Sequence, residues 1–168
     1  MDVRYVNPFV KSICNTFEMM VGTSVAMGKP SLKNSEGPCS DVSSIIGFSG
    51  DASGSVVLNF DLETAGKIAT AFAGVEMDQN HPDFADALGE LANMVAGGAK
   101  AQFEGLNISI SLPSVIVGPN HCVSTSQNAP QIVIPCKTDV GEFLVEIGMV
   151  VVKKPERIAQ PQAVGAIS

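Results

Sequence analysis

Tryptophan is absent from this chain and tyrosine occurs once, so aromatic platforms for stacking single-stranded nucleic acid are scarce. Basic residues are few as well. Ten Lys and Arg stand against seventeen Asp and Glu, a formal net charge of −7. DNA, RNA and anionic membranes all call for a basic surface, and this balance disfavours them as partners. A local contact with a basic patch on another protein stays open. No apolar run reaches the roughly 18 residues of a membrane span, and Met1 to Tyr5 lead into a charged amphipathic segment with no signal-peptide core. Cys14, Cys39, Cys122 and Cys136 are widely spaced with no C-x-x-C pair, and His81 and His121 lie far apart in sequence. No zinc or redox site is expected from that spacing. A cytoplasmic setting with free thiols is the simplest account.

What is present fits one α+β domain. A chain of 168 residues buries roughly 70% of the surface its unfolded form exposes, enough to fold without metal or disulfide. Asn7 and Pro8 open a helix predicted over 8–21, with Phe9, Ile13, Phe17, Met20 and Val21 as its inward stripe. Strands are predicted weakly over 25–33, where Pro30 intervenes, and more firmly over 42–48 and 55–60. The Gly-rich turn between the last two lacks a Lys-Ser/Thr ending and precedes no helix, so it reads as a hairpin turn, not a phosphate cradle. Asp61 caps a helix over 62–73 that Gly74 ends. A longer helix starts at Pro82, with Gly105 expected just past its end. Strands follow over 108–118, bent at Pro113, over 131–137, and over 143–152, where Phe143, Val145, Ile147, Met149 and Val151 alternate. Leu144, Val150 and Val152 make the opposite face apolar too, which predicts cover on both sides. The domain is expected to span 1–154, with a mobile tail over 155–168.

The longer helix is the most informative segment. Phe84, Leu88, Leu91, Val95 and Phe103 fall on one side. Asp86, Glu90, Asn93 and Gly97 recur at i, i+4, i+7 and i+11 and stack along the other. A carboxylate and a carboxamide thus stand one turn apart, facing outward. Such a pattern is common on solvated helix faces, and it gains weight from the rest of the chain.

The D-x-x-x-E-x-x-N motif resembles the active helix of the CheC/CheX/FliY family of chemotaxis phosphatases. So, in the same order, do Val6-Asn7-Pro8-Phe9-Val10, Ile46-Gly47-Phe48-Ser49-Gly50, Gly54-Ser55-Val56-Val57-Leu58 and Leu112-Pro113-Ser114-Val115-Ile116-Val117-Gly118. Pro113 lies somewhat closer to the Asn than the family pattern often has it. The first helix reads Ser12-Ile13-Cys14-Asn15, with no Glu three places before the Asn, and so looks like the single-site CheX branch.

The resemblance implies a CheC-like fold, a mainly antiparallel sheet packed with two long helices, and a homodimer. It implies hydrolysis of the aspartyl phosphate on a phosphorylated CheY-like response regulator. Asn93 would orient the water and Glu90 would pair with the regulator's active-site lysine. On the same face, Asp86 and Gly97 are candidate partner-binding positions, with Gly97 open equally to partner backbone and to close helix packing. Mg²⁺ is expected on the regulator, with no metal or cofactor of the chain's own. The alternative is a non-catalytic binding module of the chemotaxis or flagellar switch apparatus, which would not need the Glu90–Asn93 pair. For the dimer, the strand around Val133, beside Pro135, is the expected exposed edge, though a helix contact is equally open.

Overall fold

Two apolar helix stripes meet one face of an antiparallel sheet in the computed structural model, which describes residues 3–34, 37–125 and 129–152. The order is α1 (Val3–Thr16), a π-helical turn (Phe17–Val21), β1 (Ala26–Met27), β2 (Ser31–Leu32), β3 (Ser40–Gly50), β4 (Ala52–Phe60), α2 (Leu62–Ala73), α3 (Phe84–Lys100), β5 (Ile108–Ile110), β6 (Ser114–His121), β7 (Gln131–Thr138) and β8 (Gly141–Val151). The sheet runs β1-β7-β8-β4-β3-β5, with β2 also on β7 and β6 also on β3. Every pairing is antiparallel.

Alternation along the strands decides the two faces. Val42, Ile46 and Phe48 of β3, Val56, Leu58 and Phe60 of β4, and Phe143, Val145 and Ile147 of β8 point toward the helices. There they meet Phe9, Ile13 and Phe17 of the first helical segment and Phe84, Leu88, Leu91 and Val95 of α3. Phe17 stacks on Phe143 with centroids 4.8 Å apart. The opposite face carries Glu146, Asn59 and Ser43, all buried beneath the 31–34 and 122–125 segments. Cover on both sides is therefore observed over the middle of β8, while Val150 and Val152 remain exposed.

Several boundaries differ from the sequence reading. The first helix begins at Val3, so Pro8 lies inside it, not at its start; a proline there removes a single helix N–H. The helix then widens into a π turn before Gly22 stops it. Helix α2, capped by Asp61 and ended by Gly74, matches its predicted bounds. Helix α3 ends at Lys100, short of Gly105. The single bent strand expected over 108–118 is two strands, β5 and β6, both on β3, broken around Pro113, which has no N–H to donate. Val133 is not at an open edge. Ser31 pairs with it, and β1 and β2 together cover β7. The tail expected over 155–168 lies outside the described residues.

The expectation of four free thiols is also corrected. Cys39 and Cys122 form a disulfide, while Cys14 and Cys136 are free. The register explains it. Ser40 pairs with His121, so the next residues outward face each other, with Cα atoms 4.5 Å apart, inside the range a disulfide bridges. Spacing in sequence could not show this; only strand register does. Burial pushes the Cys136 thiol up to about 12, which keeps it protonated and unreactive.

Candidate active helix

Helix α3 is held on both flanks by close backbone approach. On one flank Gly89 packs against β6: a Cβ there would lie 3.2 Å from Pro113 Cγ and 3.3 Å from Val115 Cγ2. On the other flank Gly98 faces α1, where a Cβ would press into Ser12 Oγ. That hydroxyl is fixed, donating to Val95 O at 2.7 Å. Leu88, Leu91 and Val95 hold the underside in the core. One strip of α3 is left facing outward, and it carries Asp86, Glu90, Asn93 and Gly97.

These are the four residues singled out from the sequence, and the fold brings them onto one surface. Asp86 and Glu90 are exposed, and Asn93 and Gly97 are half-buried. Asp86 and Glu90 share a shallow hollow of about 380 Å³ with Ala85, Gly89, Pro113 and Val115. Among the described residues, no side-chain hydrogen bond or ion pair engages Asp86, Glu90 or Asn93. Their polar atoms are available to a ligand. A Cβ on Gly97 would meet nothing within 4 Å, so that position is open space, whereas Gly98 is a packing glycine. Asp86 lies in the first turn and Lys100 in the last, each favourable with the helix dipole. Among the described residues, no group of three or more His, Cys, Asp or Glu is arranged to hold a metal ion.

Sequence reasoning missed Gly89 and did not tie Pro113 to the site. The i−1 relation of Gly89 to Glu90 was visible, but nothing in the chain says which strand a helix glycine will touch. His121 lies outside this site and has two partners of its own. Its Nε2 meets Ser43 Oγ at 2.8 Å and its Nδ1 meets Gly118 O at 2.7 Å, at the far end of β6 from the hollow.

The adjacent glycines should respond oppositely to alanine. Gly98→Ala is expected to lower stability by about 1–3 kcal/mol, because the added carbon forces α1 and α3 apart. Gly97→Ala is expected to leave stability unchanged or raise it by up to about 1 kcal/mol, through helix propensity alone. Thermal melts of the two variants check this; equal melting temperatures would refute it.

The chain is similar to known proteins in sequence and in fold. The family profile described as Chemotaxis phosphatase CheX matches residues 42–137, which include the whole of α3. The CheY-P phosphatase CheX of Thermotoga maritima is 36% identical over 122 residues, covering 70% of this chain and 78% of that protein. The crystal structure of a chemotaxis protein CheX from Desulfovibrio desulfuricans superposes with a TM-score of 0.80 at 33% identity, over 88% of this chain and 99% of that one. The CheX–CheY–BeF3–Mg²⁺ complex from Borrelia burgdorferi contains a chain that superposes with a TM-score of 0.73 at 27% identity, over 86% of this chain and 97% of its own. By sequence and by fold, the chain belongs to the CheX family of chemotaxis phosphatases.

Proposed function

We propose that Asn93 and Glu90 divide the work of dephosphorylating a CheY-like response regulator, Asn93 orienting the attacking water and Glu90 holding the partner. The chain is a phosphatase of aspartyl phosphate on such a regulator. The observation that supports the division of roles is the unengaged pair of exposed Glu90 and half-buried Asn93 on a helix clamped by Gly89 and Gly98.

An acyl phosphate is already reactive, so its hydrolysis chiefly needs a water held in line with phosphorus. The Asn93 carboxamide can accept a hydrogen bond from that water and donate one to a phosphoryl oxygen, without adding negative charge. A carboxylate in its place would repel the phosphoryl group. Glu90 stands one turn away, suited to an ion pair with a lysine of the regulator, which would fix the register of the helix over the phosphate. Asp86, in the same hollow, adds charge for a basic partner surface, and Gly97 leaves room for partner backbone. Mg²⁺ belongs to the regulator in this scheme, and the cytoplasm is the setting where such a regulator is met.

The homodimer is also part of the reading, but through a different edge from the one expected. Among the described residues, strand β6 pairs only with β3, and it exposes Ile116 and Val117. An exposed apolar edge strand is a template for a second chain. A binding-only role would leave the Glu90–Asn93 pair without a task.

The test is decay of a phosphorylated CheY-like regulator with and without this chain. Glu90→Ala is expected to raise the regulator concentration for half-maximal rate by about 10-fold or more, since removing one partner of an interfacial charge pair is costly. Its melt should match wild type. No acceleration of decay by the wild-type chain would move the binding module to first place.

A further inference from the structure

We infer that Met19, Met20 and Met94 form an apolar shoulder on which the regulator docks beside the Glu90–Asn93 pair. This rests on the phosphatase reading above and adds where the partner's body sits. Helices α1 and α3 run antiparallel. Gln102 Nε2 donates to Pro8 O at 3.2 Å, and Ser12 stands opposite Gly98. Continued past Thr16, that alignment carries Met19 and Met20 to the level of Glu90 and Asn93. There they line one groove of about 440 Å³ with Met94, Lys11 and Asn15. Met94 stands one helical turn after Glu90, at i+4, so the groove borders the strip that carries the pair.

Size decides what must cover it. Packed helices stand about 8–10 Å apart. A standard protein interface covers about 800 Å² on each side, a disc of roughly 16 Å radius. A protein that brings a phosphoryl group to Asn93 therefore also covers the neighbouring helical segment at that level. The surface found there suits the task. Met19 is 72% exposed and Met20 38%, although Phe17 and Val21 on either side of them are buried. Both methionines lie in the π turn, where Met20 is exposed although the sequence pattern put it on the inward stripe, and such turns recur at functional sites. Methionine is enriched in interfaces and fills irregular gaps, because its side chain is unbranched and polarisable. The pair supplies charge and hydrogen bonding, and the shoulder supplies apolar area.

The experiment uses the whole chain and a CheY-like regulator loaded with beryllium fluoride and Mg²⁺, titrated against wild type, Met19→Glu and Met19→Glu/Met94→Gln. Turnover of the phosphorylated regulator, light scattering and melts are measured in parallel. Met19→Glu is expected to weaken binding about tenfold and to raise the half-saturating regulator concentration equally, with kcat and the melt unchanged. The double variant is expected to lose more. Unchanged affinity in both variants overturns the docking surface even if wild type turns the regulator over. Loss of self-association with unchanged regulator affinity also overturns it, and assigns the patch to a second copy. Wild type that binds the loaded regulator through these methionines without hydrolysing it sinks the phosphatase role and leaves the surface standing. No binding by wild type overturns both.

Discussion

Asn93→Ala is expected to lose about a hundredfold or more in turnover, with the melt and most of the regulator affinity kept. The size follows from the nature of the reaction. Where catalysis is mainly positioning, misplacing one reactant by about an ångström costs on the order of a hundredfold, and removing the group that positions it costs at least that. Stability should hold because the side chain lies on the outer strip and makes no hydrogen bond or ion pair with another described residue; such substitutions usually fall within about 0.5 kcal/mol. Affinity should largely hold because Glu90 and the methionine shoulder remain. Single-turnover decay with the phosphatase in saturating excess over the phosphorylated regulator isolates the effect. Wild-type turnover in Asn93→Ala, with an unchanged melt, would make this helix face an ordinary solvated one.

The second large effect lies on the opposite face of the sheet. Glu146 is 1% exposed. Its charge is met by Lys33 Nζ at 2.5 Å and by Asn59 Nδ2 at 2.9 Å. Ser43 Oγ donates to Asn59 Oδ1 at 2.6 Å, and Lys33 also donates to Val123 O at 2.6 Å. The ion pair thus sits in a closed polar cluster under two covering segments. Lys33→Met is expected to destabilise the protein by about 3–5 kcal/mol, because it leaves a carboxylate buried without its counter-charge. Adding Glu146→Gln should recover most of that loss, since the stranded charge is then gone. Denaturant melts of the single and double variants decide it. Wild-type stability in Lys33→Met would mean that the pair contributes nothing, and phosphatase activity at low temperature should be little affected in either case.

How far the sequence led can be judged from these same residues. The α+β class, helix α2 with its caps, the alternation of β8 and the outward strip of α3 were all legible. Each depends on contacts or periodicity within one element. The strip was legible in full, because four residues at helical spacing fix a face wherever the helix lies. What surrounds the strip was not. That Gly89 meets Pro113 and Gly98 meets Ser12 depends on which strand and which helix lie alongside. The Lys33–Glu146 pair spans 113 positions, a separation that no periodicity within one element bridges. Val133 looked like edge material because Pro135 is poor in a central strand, yet two strands of two residues each suffice to cover β7. Cys39 and Cys122 are joined through a register that only the folded sheet defines.

That disulfide divides the chain in a way the layers of the fold do not. It closes a ring across 83 positions, and β3, β4, α2, α3, β5 and β6 lie inside it. Helix α1 with its π turn and strands β1, β2, β7 and β8 lie outside. Tension applied at the two chain ends runs through the sulfur–sulfur bond and bypasses the ring. The strands outside the ring carry the load, while roughly 280 Å of extensible chain, at about 3.4 Å for each of those 83 positions, stays locked out of the extension. The helix that carries Glu90 and Asn93 is therefore shielded from mechanical load until the bond is reduced.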